Sequence, residues 1–133
     1  MKYVLALAVA LVLNAVANLL MKVGMKTVQS AGGILKDGPW AALTTVLSSG
    51  TLVIGLACFG LNALFYMYAL QSSALKISVA YPVMVGGGYA LIAVVAHLHP
   101  ALSESLTSLQ KLGVGMVLAG ILLIAAQAKT SAV

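Results

Sequence analysis

Apolar residues run along this chain in long blocks parted by short polar breaks. The stretch from Tyr3 to Met21 carries no charge over 19 residues and is closed by Lys22. At 1.5 Å per residue it is long enough to cross a bilayer core of about 30 Å, so the first span is placed at about 3–22. Lys2, this apolar stretch and Ala15-Val16-Ala17 imitate a cleavable signal peptide; the segment is nonetheless expected to be retained. From Gly38 to Leu75 there are 38 residues without a charge, too many for one crossing. Gly38-Pro39-Trp40 and Ser48-Ser49-Gly50 divide this run into a short interfacial helix over 39–47, with Trp40 at headgroup depth, and a second span over 50–71. Ser72 to Lys76 reads as a turn. The third span covers 77–98, broken near its start by Pro82 and in its middle by Gly86-Gly87-Gly88, and His97-Leu98-His99-Pro100 ends it. After a polar stretch from Ser103 to Gln110, the fourth span covers about 109–128, with Lys111 close enough to the end to snorkel.

Composition makes the same point. Of 133 residues 62% are hydrophobic and 7% charged, with a mean hydropathy of +1.13, whereas a soluble domain is near a quarter charged. The pattern therefore predicts an all-α membrane protein of four transmembrane helices in one domain, with no room for a soluble catalytic domain.

The net charge of +5 comes from seven Lys and no Arg against Asp37 and Glu104. In a membrane protein such an excess faces lipid headgroups, and nucleic-acid binding is not expected. Four spans put both termini on one side. Lys2, Lys76 and Lys129 then oppose Lys22, Lys26, Lys36 and Lys111, three against four. The positive-inside rule gives almost no orientation, which fits either copies inserted both ways or short loops with a weak bias. One cysteine, Cys58, excludes an intrachain disulfide.

The polar residues within the spans carry the functional signal. Ionisable groups at mid-membrane are costly and are kept where proton coupling needs them, and none lies at mid-depth here. The interior instead holds Asn14 and Asn18 on the first span and Asn62 on the second, with Tyr66, Tyr68, Tyr81 and Tyr89 as further polar handles. Asn14 and Asn18 are four apart and share a helical face. Such amides serve either as interhelical glue or as the lining of a cavity that binds a polar headgroup. Pro82 and Gly86 to Gly88 suit either a hinge or close helix packing. On the fourth span, Gly113, Gly115, Ala119 and Gly120 form a small-residue association face whose partner is internal or a second copy.

Other chemistry is not indicated. No His, Cys or carboxylate cluster has metal-ligand spacing, His97 and His99 point to different faces of a helix, and the triple glycine follows no strand. Neither an enzyme nor a cofactor or metal site is expected.

At these residues the chain resembles a known family. Leu20-Met21-Lys22 closing the first span, Ile77-Ser78-Val79-Ala80-Tyr81 opening the third, Gly86-Gly87-Gly88 within it, Ser103-Glu104-Ser105-Leu106-Thr107 with Gln110, and Gly113 to Gly120 look like the four-helix branch of the drug/metabolite transporter superfamily. That branch contains the small multidrug resistance exporters and the paired subunits of the flippase for aminoarabinose-phosphoundecaprenol. Counting back from Leu20-Met21-Lys22, the exporters' essential membrane carboxylate falls on Asn14, and an amide cannot release a proton. Val79-Ala80-Tyr81-Pro82, the preceding Ala69-Leu70-Gln71 and the polar insert before the second span are similar to the flippase branch. The resemblance implies a bacterial inner-membrane transporter of an anionic, amphiphilic lipid such as an undecaprenyl-phosphate-linked sugar. It implies a dimer, with itself or with a related four-helix subunit, in contact with membrane lipids.

In that reading Asn14, Asn18, Asn62, Tyr81 and Tyr89 line a groove for the headgroup. Lys22 and Lys76 attract the phosphate from either face. The alternatives are a small multidrug or metabolite exporter without the usual carboxylate, and a non-transporting assembly subunit of a membrane enzyme.

Overall fold

The structure is a computed structural model and describes residues 1–30, 32–33, 38–73, 75–98 and 106–130, the side chains of 127–130 excepted. Lys36, Asp37, His99, Pro100, Ser103, Glu104, Ser105 and the side chain of Lys129 lie outside the described residues. Five helices follow one another: α1 (Lys2–Ser30), α2 (Pro39–Ser48), α3 (Gly50–Ala69), α4 (Ile77–Leu98) and α5 (Ser108–Thr130). There is no strand among the described residues. All except α2 are long and apolar enough to cross a membrane. The chain is thus all-helical with the architecture of a multi-pass membrane protein.

The helix ends follow local chemistry. The first span was expected to stop near Lys22, but α1 continues to Ser30 and is 29 residues long, about 43 Å at 1.5 Å per residue. Lys22 and Lys26 do not interrupt it, because lysine is a good helix former and its long side chain reaches headgroups from the helix surface. Glycine ends it: Gly32 and Gly33 have φ of 111° and 92°. The Gly33 N–H donates to the Val28 carbonyl at 3.1 Å, closing the last turn with a left-handed backbone that a Cβ disfavours.

Pro39 opens α2 at its first turn, and Trp40 on it is 79% exposed. The second span ends at Ala69 rather than at 71, since the Leu70 and Gln71 N–H groups donate to Tyr66 and Tyr68 in a tight turn. At the start of α5 the Thr107 N–H donates to Gln110 Oε1 at 2.9 Å and the Gln110 N–H to Thr107 Oγ1 at 3.3 Å. This is a reciprocal capping box, set by a Thr three residues before a Gln.

The expected break in the third span does not occur. Helix α4 runs unbroken through Pro82 and Gly86 to Gly88. Pro82 lies in the second turn, where its lost donor and its ring affect the carbonyl of Ser78 near the helix start, and the glycines are held helical by the helices packed on them.

The spans form a row in the order α3, α1, α4, α5, with α2 against α3. The α1–α3 contact is antiparallel and close. A Cβ built on Gly24 would lie 2.7 Å from Leu52 Cδ2, and one on Gly55 would lie 3.1 Å from Met21 Cγ and 3.3 Å from the Ala17 carbonyl. At the other end of the pair, the Tyr3 and Tyr68 rings meet at 5.4 Å, with Lys2 Nζ 5.3 Å from the Tyr3 ring. A core of Ala6, Leu7, Ala10, Ala69, Ala80 and Met84 joins α1, α3 and α4, flanked by Tyr66 and Leu70. Small residues dominate it because helices in lipid gain by close backbone approach rather than by hydrophobic transfer.

Candidate polar site within the membrane

The three glycines of α4 divide their contacts between two neighbours. A Cβ on Gly86 would strike Ile121 of α5 and lie 3.2 Å from Val117 Cγ1, whereas one on Gly87 would lie 2.6 Å from Leu11 Cδ1 of α1. One on Gly88 would lie 2.9 Å from Asn14 Nδ2. Successive helical residues point about 100° apart, so three glycines in a row let α4 receive two helices at the same depth. At these positions the backbone of α4 is closely approached by side chains of α1 and α5.

Asn14 is half-buried, its amide laid on the bare backbone at Gly88. Asn18 is exposed; its Nδ2 donates to the Asn14 carbonyl at 2.7 Å and reaches Asn14 Oδ1 at 3.4 Å. The two amides thus share one face of α1, as their spacing requires.

Asn62 is the most deeply placed of the expected site residues, 5% exposed, and it is the one buried polar side chain among the described residues. Its Oδ1 has no hydrogen-bond partner within the protein. The antiparallel register set by Gly55 on Ala17 and by Tyr3 on Tyr68 puts Asn62 opposite the turn of α1 that contains Ala10, next to that of Asn14.

Tyr89, Lys22 and Lys76 do not join these amides, and Tyr81 approaches only Tyr66 of α3, on which it acts electrostatically. Tyr81 is 55% and Tyr89 47% exposed on the outer side of α4, so no single groove within one copy contains all five polar side chains. Lys22 and Lys76 are exposed near opposite ends of the spans. Gly113, Gly115 and Ala119 are exposed and Gly120 is half-buried; a Cβ on any of the three glycines would meet nothing within 4 Å. Of the four long helices α5 is the least buried and α4 the most.

One residue outside the expected site shares a face of α3 with Asn62. Tyr66 packs against the α1–α3–α4 core, and its hydroxyl is buried without a partner. The signal was present as spacing: Asn62 and Tyr66 are four apart, hence on one face of α3. Among the described residues no three His, Cys, Asp or Glu side chains come together to hold a metal ion.

Among known proteins, the chain is 31% identical over 112 residues to the uncharacterized protein y4nH of Sinorhizobium fredii, which covers 84% of this chain and 85% of that protein. No family model and no solved structure matches it. The chain belongs to the same family as the Sinorhizobium protein.

Proposed function

We propose that this protein is a flippase-type transporter of a bacterial inner membrane, acting as a dimer. Its cargo is an anionic, amphiphilic lipid of the undecaprenyl-phosphate-linked sugar class. The observation that carries the reading is a neutral polar interior with cations at both ends. Asn14 rests on Gly88 at mid-span, Asn62 is buried on α3 about one turn away in register, and Lys22 and Lys76 stand toward opposite faces. A lipid phosphate is attracted by lysine at either face as a point charge. A sugar passing between the faces needs hydrogen-bonding groups that introduce no charge into the bilayer. Asp37 and Glu104, the only acids of the chain, fall outside all four spans, which weighs against a proton-coupled exporter of cations.

The exposed tyrosines of α4 and the open small-residue face of α5 support a dimer. In one copy Tyr81, Tyr89, Gly113 and Gly115 face outward, and a second copy or a related subunit is what turns such faces inward. The tail of the substrate remains in the bilayer while the headgroup crosses.

Flux in proteoliposomes tests this reading, with a fluorescent polyprenyl-phosphate sugar and a quaternary-ammonium dye offered separately. Movement of the phosphorylated lipid and not of the dye is expected. Preference for the cation overturns the reading in favour of an exporter. Failure to move either, together with persistent copurification of a membrane enzyme, overturns it in favour of an assembly subunit.

A further inference from the structure

We propose that Asn62 and Tyr66 form a binding site for a hydroxyl group at mid-membrane, between α3 and the core it shares with α1 and α4. The proposal rests on the transport reading only for one of its two possible occupants, a hydroxyl of the carried headgroup; the other is a resident water.

Asn62 Oδ1 and the Tyr66 hydroxyl are both buried and both without a hydrogen-bond partner within the protein. They stand on one face of α3, one turn apart, about 6 Å along the axis at 1.5 Å per residue. Side chains on a helix lean toward its N-terminus, which is the direction in which Asn62 lies from Tyr66. Burying either atom unpaired in a membrane interior is costly, because no solvent is present to replace the missing bond. Two such atoms on one face point to a third group that satisfies both.

The donor and acceptor inventory restricts that group. Asn62 Oδ1 only accepts, so the ligand must donate to it; the Tyr66 hydroxyl both donates and accepts. An ionised phosphate oxygen cannot donate and would meet the negative end of the Asn62 carbonyl dipole. An ammonium can donate, but it would lie at a depth where the spans offer no carboxylate, an unpaired charge in low dielectric. A neutral O–H that donates to Asn62 and accepts from Tyr66 fits both atoms. The site therefore selects the sugar part of an amphiphile and leaves its phosphate to the lysines at the faces.

The test uses the purified full chain in lauryldimethylamine oxide, a detergent without hydroxyls. Thermal unfolding is followed for the wild type, Asn62→Leu, Tyr66→Phe and the double variant. Tyr66→Phe removes one oxygen and keeps the ring, so it reports even where Asn62→Leu fails to fold. An occupied site predicts a lower melting temperature for Tyr66→Phe and for Asn62→Leu, and a double variant no less stable than the worse single one. Melting temperatures that rise or stay level, with effects that add, overturn the site.

Octyl glucoside and octyl phosphate are then titrated into each variant. A rise with the glucoside in the wild type that is lost in Tyr66→Phe, with no matching rise from the phosphate, assigns the hydroxyl to a sugar. Coupled losses without that glucoside effect support the site with water as its occupant. A phosphate-specific rise that Tyr66→Phe abolishes overturns the proposal. Coupled losses in a protein that moves no lipid in proteoliposomes retire the transport reading and leave the site standing.

Discussion

The side-chain amide of Asn14 occupies the space that any side chain on Gly88 would need: a Cβ there would lie 2.9 Å from Asn14 Nδ2 and 3.9 Å from the Leu11 carbonyl. One contact thus links the polar centre of α1 to the glycine segment of α4. Adding a methyl group forces the amide away or parts the two helices. Gly88→Ala is expected to push aside the Asn14 amide, the tip of a flexible side chain, and to lower stability by no more than about 1 kcal/mol once the better helix propensity of alanine is counted. Gly86→Leu and Gly87→Leu, which run into Ile121 and Leu11, should do at least as much and abolish transport or assembly. A Cβ on Gly60 meets nothing within 4 Å, so Gly60→Ala should be neutral or stabilise by up to about 1 kcal/mol through helix propensity. Unfolding in detergent measures all four; wild-type stability of the three α4 variants would show that these glycines have no packing role.

The open face of α5 distinguishes folding from association. Neither Gly113 nor Gly115 faces anything within 4 Å that an added Cβ would meet, so Gly113→Leu and Gly115→Leu should leave the helix content and melting temperature of one copy unchanged. In the proposed dimer the same side chains fill the gap between copies. Mass determination in mild detergent should then show monomers for both variants and dimers for the wild type; unchanged dimers place the interface elsewhere.

Asn14 allows a test of charge. Asn14→Ala should weaken headgroup binding by the worth of one or two neutral hydrogen bonds, about 0.5–1.5 kcal/mol each, with folding largely intact because Ala17 and Ala10 carry the neighbouring contacts. A neutral amide has nothing to titrate, so wild-type flux should show no steep step between pH 5 and 8 that arises from this position. Asn14→Glu should introduce such a step. If the proposed function holds, the carboxylate once ionised repels an anionic lipid, so flux of a phosphorylated lipid should fall as pH rises through its titration and that of a quaternary-ammonium compound should rise. Flat profiles in the Glu variant would show that position 14 does not face the pathway.

Orientation should respond to very few charges. Lys2, Lys76 and Lys129 oppose Lys22, Lys26, Lys36 and Lys111, so adding two or three lysines to either side should fix the direction of insertion. If native copies insert both ways, each fixed form should lose function and a mixture of the two should regain it. Labelling of single cysteines placed in the loops reports this directly, and one native orientation ends the idea of dual insertion.

Element existence and type were legible in the sequence because a bilayer leaves few options. Uncharged runs of membrane length must be helical for want of any other partner for their backbone. The third span, 77–98, agrees with α4 at both ends, and Pro39 and Trp40 marked α2. The shared face of Asn14 and Asn18 followed from helical period alone. The end of α1 did not, since lysines bound an apolar run without ending a helix; the backbone at Gly32 and Gly33 does that.

Tertiary structure decided what the polar residues face. In a chain apolar on every side of its helices, composition does not distinguish the face that packs from the face that meets lipid. Only the row of α3, α1, α4 and α5 buries Asn62 and the Tyr66 hydroxyl and leaves most of Tyr81 and Tyr89 exposed. Equally, Gly86 to Gly88 and Gly113 to Gly120 look alike as strings of small residues. The neighbouring helices make the first a packed junction and leave Gly113, Gly115 and Gly120 open, because the role of a missing side chain depends on what has moved into its place.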